Sequence, residues 1–146
     1  MLKLSVKSTA DENFYKEFSE ESMKRILMKS MFKMEDLAVG NAAVDQGELR
    51  SNITLFPQIL SGEYTLVSKA AHSEALEYGT RPFYAPVKPL KEWAARKLGD
   101  PNIGYAIQAK IAKEGITAQP FMRPALWQVK NYWLNYYAAV EAKRFK

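Results

Sequence analysis

Residues 49–70 read LRSNITLFPQILSGEYTLVSKA, and how this stretch folds decides the class of the protein. Leu49 to Phe56 reads as a strand, with Leu49, Ile53 and Leu55 as its apolar positions. Ser61-Gly62 punctuates, and EYTLVSKA reads as a second strand. The two are expected to pair as a hairpin. Residues 2–7, LKLSVK, alternate apolar and polar and suit a further short strand.

Helical patterns stand on both sides of the hairpin. From Asp11 to about Ala38, Met23, Leu27, Met31, Met34 and Ala38 recur at steps of three and four, and Phe14 and Phe18 extend the apolar face. Thr9 and Glu12 have capping-box spacing, and Gly40-Asn41 suits the far end. Acidic groups crowd the first half and basic groups the second, with Glu20–Lys24 and Glu21–Arg25 as i,i+4 pairs. Such a helix would be on the order of 40 Å long. That exceeds what a small sheet can cover, so part of it is expected to pack on a second subunit. The stripe Met23, Met28, Met31 and Met34 reads as a core face rather than an adaptable binding surface.

Residues 71–79, AHSEALEYG, are too short to assign by pattern. Pro89 to Leu98 reads as a helix closed by Gly99-Asp100-Pro101, and Ile103 to Lys113 as another, stopped by Gly115. In the last helix, Leu126, Val129, Trp133, Tyr137 and Val140 line one face. Pro-Phe-x-x-Pro occurs twice, as PFYAP (82–86) and PFMRP (120–124). Each copy stands before a helix and reads as a helix-start device, with Phe83 and Phe121 as core anchors and Pro124 in the first turn. The expectation is one α+β domain over 1–146. A long N-terminal helix and a C-terminal helix pack on a small, mainly antiparallel sheet, with a short helical insert at about 87–114.

Chemical signals are few. Without cysteine, thiolate chemistry and disulfides are excluded, and His72 is the sole histidine, so a His/Cys zinc site within one chain is excluded too. Glu74 and Glu77 would share a face on a helix and lie on opposite faces of a strand, and no third ligand accompanies them. No Gly-rich phosphate loop occurs. The reading is therefore no catalytic, cofactor or metal site. No apolar run is long enough for a membrane span, and the start lacks the apolar stretch of a secretory signal.

The net charge of +5 is uneven: residues 41–80 carry −3 and residues 81–146 carry +8. Basic and aromatic residues occur together near the C-terminus, as in KNYWLNYY (130–137), which could stack on single-stranded nucleic acid, although at helical spacing such a stripe reads first as core or interface. Trp133 and Tyr137 are assigned to the core; Phe83, Tyr84, Trp127, Tyr132 and Tyr136 are interface candidates.

Four pieces taken in order resemble a known family: the long helix, AAVDQGELRSNI (42–53), HSEALEYGTRPF (72–83) and GITAQPFMRPAL (115–126). Together they look like the tail-component, or neck-protein, family of tailed double-stranded DNA phages and prophages. The resembling positions are Gly47, Leu49, Arg50, Glu77, Tyr78, Gly79, Thr80, Gln119, Pro120, Phe121, Arg123 and Pro124. Gln46 stands where the family pattern has Thr, and Tyr78 where it more often has Phe. The resemblance implies a non-enzymatic virion protein, made in the bacterial host cytoplasm, that forms a ring at the head–tail junction. The ring would be a hexamer around the DNA channel. It would contact copies of itself, head-closure and tail proteins, and packaged DNA without sequence preference. A tail-terminator subunit, or a non-enzymatic DNA-binding protein using the basic C-terminal half, is the alternative.

Overall fold

The computed structural model describes residues 1–7, 18–58 and 63–145. In chain order the elements are β1 (Leu2–Lys7), α1 (Glu20–Asn41), α2 (Glu48–Ser51), β2 (Ile53–Gln58), β3 (Glu63–Ser68), α3 (Ser73–Tyr78), α4 (Val87–Leu98) and α5 (Ile103–Glu114). The last stretch comprises α6 (Met122–Gln128), a π-helical turn (Val129–Trp133), α7 (Leu134–Ala142) and a 3-10 turn (Lys143–Phe145). The fold is α+β, as the sequence implied. Met1–Ser73 and Pro120–Lys146 form one compact unit, and Glu74–Gln119 forms a second.

The first unit carries a three-stranded antiparallel sheet in the order β1-β3-β2. Its register puts Leu2 and Ile53 on either side of Ser68, and Leu55 beside Leu66. Because side chains alternate along a strand, Leu2, Ile53, Leu55, Tyr64, Leu66 and Ser68 share one face, and all six are buried. Helix α1 packs against β2, α6 and α7. It buries Met23, Ile26, Met31, Met34 and Ala38 while Met28 stays exposed, so three of the four methionines are core. Its Glu35 Oε1 accepts the Leu55 N–H at 2.9 Å, and Pro57 has no N–H to offer; both blunt an edge strand that could otherwise pair with another chain.

Three expectations need correction. Helix α1 begins at Glu20, not Asp11: Ser19 is extended (φ −64°, ψ 157°) and its Oγ accepts the Ser22 N–H, a side-chain N-cap. Asp11 to Glu17, with the Thr9–Glu12 box and Phe14, and the Ser61-Gly62 turn lie outside the described residues. The stretch from Leu49 does not run straight into a strand, since Glu48–Ser51 is one helical turn. Ser51 Oγ and Asn52 Nδ2 both donate to the Glu48 carbonyl, and such local bonds compete with a β ladder. Leu49 is nonetheless buried, and Arg50 Nε donates to the Ala42 carbonyl just past the end of α1.

The third correction concerns the last helix. Met122, Ala125 and Val129 are buried at helical spacing. The Leu134 N–H then bonds back to the Val129 carbonyl, an i→i+5 turn holding one residue more than an α-helical turn. Beyond it the inward positions are Leu134, Ala138 and Glu141, where a continuous α-helix would present Trp133 and Val140. Leu134, Tyr137 and Phe18 pack on Met23, Ile26 and Ala138.

Among the described residues Phe121 is the largest fully buried side chain, and its carbonyl accepts Asn41 Nδ2 at the end of α1. Phe121→Ala is expected to cost about 3–5 kcal/mol in urea unfolding. Trp127→Ala, at an exposed site on the same helix, should stay within about 0.5 kcal/mol of the parent chain.

Candidate functional site

The second unit brings two of the resembling segments together. Thr80 N–H donates to the Ile116 carbonyl at 2.9 Å, and Ile116 N–H donates back to Thr80 Oγ1 at 3.0 Å. Gln119 N–H donates to the Leu76 carbonyl at 2.7 Å, and Phe83 N–H to Ile111 at 3.4 Å. These bonds form a clasp between the chain entering the helical pair α4–α5 and the chain leaving it. Both of its glycines are required. Gly79 sits at φ +73°, and a Cβ there would clash, lying only 2.6 Å from the Ile116 carbonyl oxygen. Gly115 sits at φ 78°, ψ −164°, a conformation essentially confined to glycine, and its Cβ would run into the Thr80 carbonyl.

The helical pair above the clasp is sparsely covered. Helices α4 and α5 have 12 residues each, and only Ala94 and Gly104 are fully buried. A Cβ on Gly104 would lie 2.7 Å from the Lys91 backbone, so this glycine lets the two helices approach. Tyr84, Trp93, Leu98 and Tyr105 stay exposed, Tyr84 at 86%. An open groove of about 340 Å³ is lined by Tyr84, Tyr105, Gln108, Ala109, Ala112 and Lys113. Gln108 Nε2 donates to the Ala85 carbonyl at 2.6 Å, which holds the segment carrying Tyr84 against α5.

In the first unit, the π turn leaves a second exposed aromatic surface. Trp127, Tyr132 and Tyr136 are exposed, and the Tyr132 and Tyr136 rings stack nearly parallel with centroids 6.3 Å apart. Trp133 is half-buried, with Lys33 Nζ over its ring at 4.8 Å. On the inward side, Glu141 is 1% exposed and accepts Arg25 Nε at 2.6 Å; Arg144 adds a longer contact at 3.4 Å. Arg25 also reaches Glu21 and Ser22 Oγ. The Arg25 hydrogen bond holds the Glu141 carboxyl below its ordinary 4.5, against the opposing effect of burial. Sequence periodicity missed Glu141, because only the extra residue of the π turn brings it inward.

The remaining sequence candidates fall in different places. Phe83 is 40% exposed: its backbone, not its ring, is what the fold holds, so it is not the core anchor that Phe121 is. Tyr78, Gln119, Pro120 and Arg123 are exposed and Pro124 is half-buried in the first turn of α6, whereas Gly47 precedes α2. Residues 73–78 are helical, yet Glu77 is buried while Glu74 and His72 are exposed, so these groups do not converge. Among the described residues, no group of three or more His, Cys, Asp or Glu could hold a metal ion, and no helix is long and apolar enough to cross a membrane. Comparison of the chain with protein-family models, with curated proteins and with solved structures returns no match.

Two outcomes are expected. Gly115→Ala should destabilise the chain by at least about 1–3 kcal/mol, and Thr80→Val by about 1 kcal/mol; in both, amide exchange at Ile116 should accelerate ahead of exchange in β3. Glu141 has a folded value below its unfolded one, so its contribution is complete above 4.5 and is lost as pH falls through the folded value. Glu141→Gln should therefore lower the melting temperature at neutral pH and flatten the loss of stability below about pH 4.5.

Proposed function

We propose that the chain is a structural subunit of a tailed double-stranded DNA phage or prophage-derived particle. In this reading it assembles with copies of itself into a ring at the head–tail junction. The identity comes from the resemblance of four ordered segments. The observation that carries assembly is the sparse cover of α4–α5, where Tyr84, Trp93, Leu98 and Tyr105 remain exposed. Two helices of this composition in water leave apolar area that a subunit contact would cover, and exposed aromatics are what interface cores are enriched in. A ring needs a head-to-tail contact between two different surfaces of one chain. An exposed pair of helices on a tight clasp suits one half of such a contact.

The clasp supports the same reading in another way. EYGT and GITAQPF, the more specific parts of the resemblance, are far apart in sequence, yet Thr80 and Ile116 bond to each other. The resembling pattern thus corresponds to one physical device that sets where the helical pair starts and ends.

The test is assembly. Mass spectrometry of purified particles from a producing strain should find the chain, and imaging of particles lacking it should show heads without joined tails. Tyr84→Ser should leave the melting temperature of the isolated chain nearly unchanged, because an 86% exposed ring holds little of the fold, yet lower the yield of joined particles about tenfold or more. Absence of the chain from particles would sink the proposal.

A further inference from the structure

The groove on the helical pair combines two exposed rings, a small-residue floor and a cation at each end. Tyr84, Tyr105, Gln108, Ala109, Ala112 and Lys113 line it, and none of them carries a negative charge. Lys91 borders the Tyr105 end: its Nζ stands over that ring, 4.8 Å from the centroid, and donates to the phenol oxygen at 3.4 Å. Both contacts are to an uncharged side chain, so neither offsets the ammonium charge. Lys113 closes the other end and is exposed. The carboxylates that follow the two lysines in sequence, Glu92 and Glu114, each lie about 100° further round their helix, and neither lines the groove. From Tyr105 to Lys113 along α5 the axial distance is about 12 Å.

The spacing of the two cations, with uncharged surface between them, selects the occupant. An extended peptide rises about 3.3 Å per residue, and residues four apart point the same way. Two carboxylates so placed span about 13 Å and reach both lysines, while the residues between them lie over Ala109 and Ala112. Gln108 spends Nε2 on the Ala85 carbonyl at 2.6 Å, which leaves its Oε1 to accept a peptide N–H. A nucleic-acid strand would call for cations tracking its backbone along the whole groove, and the middle has none. A second copy does not supply the ligand from its paired acids. Asp45 and Glu48 flank a turn with Gly47 at φ 84°, and Glu77, four-fifths of a turn from Glu74, is buried. We propose that this groove binds an extended acidic segment of a different protein, with carboxylates four residues apart on Lys91 and Lys113. If the ring proposal holds, that protein is a neighbour in the particle. The groove does not use up the surface that proposal needs, since exposed Trp93 lies about 200° around α4 from Lys91.

The test is fluorescence anisotropy of the full chain with a panel of labelled peptides of about 12 residues, each with two glutamates four apart and varied residues between and around them. Members of the panel should bind, and more weakly as salt rises from about 50 to 200 mM. Lys91→Gln with Lys113→Gln should weaken binding at least about threefold. Ala109→Trp, at an exposed position, should fill the floor and abolish binding while the melting temperature holds. Binding to no member of the panel would overturn the proposal, as would equal binding when both glutamates are replaced by glutamine. So would tighter binding of a labelled oligothymidylate that the lysine variant loses, which would mark a nucleic-acid site. Loss of self-association in Ala109→Trp, seen by light scattering with no peptide bound by the parent, would overturn it too and mark a contact between copies. None of these outcomes depends on finding the chain in particles, so this proposal and the ring proposal fail separately.

Discussion

One extra residue in a single helical turn governs what the C-terminal segment shows and what it hides. The Leu134 N–H reaches back five residues to Val129, and from there on every side chain is displaced by about a residue's rotation. Inward go Leu134, Ala138 and Glu141; outward go Tyr132 and Tyr136. A π turn strains the regular ladder, so something must favour it. The buried pair between Glu141 and Arg25 is the visible gain: an oriented, charge-assisted bond at 2.6 Å that a regular helix would leave unmade. Helix α1, which also covers the sheet and caps its edge through Glu35, thereby sets the rotation of the last helix.

The second unit depends on a different kind of constraint. Its two helices contribute little buried surface, so its definition comes from backbone geometry at its base. Thr80 and Ile116 exchange two hydrogen bonds, and Gly79 and Gly115 supply conformations that permit the close approach. The unit is fixed by sterics and hydrogen bonds where the first unit is fixed by apolar burial. That difference leaves its aromatic side chains available at the surface.

Much of the fold was legible in the sequence wherever the signal was local. The antiparallel pairing of β2 with β3, the helical pair with its Gly99 and Gly115 stops, and Phe121 as a buried anchor all follow from local pattern. What was not legible depended on partners distant in the chain or on small side-chain bonds. Asn52 and Ser51 bend the start of the expected strand into a helical turn. The PFYAP copy looked like PFMRP, yet its phenylalanine stays outside, because the five-residue pattern sets backbone direction and not burial. Glu141 meets an arginine 116 positions away, and no window of sequence contains that pairing. The clasp was read as two separate motifs, and only the fold joins residues 36 apart.

The rotation of the C-terminal helix decides which aromatic rings meet solvent. The most direct measurement is residue-resolved oxidative footprinting of the free chain in dilute solution, read at its tyrosines. Tyr132 and Tyr136 should react at comparable, fast rates, Tyr137 more slowly, and Tyr64, at 4% exposure, slowest of the four. A regular α-helix continued from Val129 would turn Tyr136 toward α1, so finding Tyr136 protected to the level of Tyr64 would contradict the account.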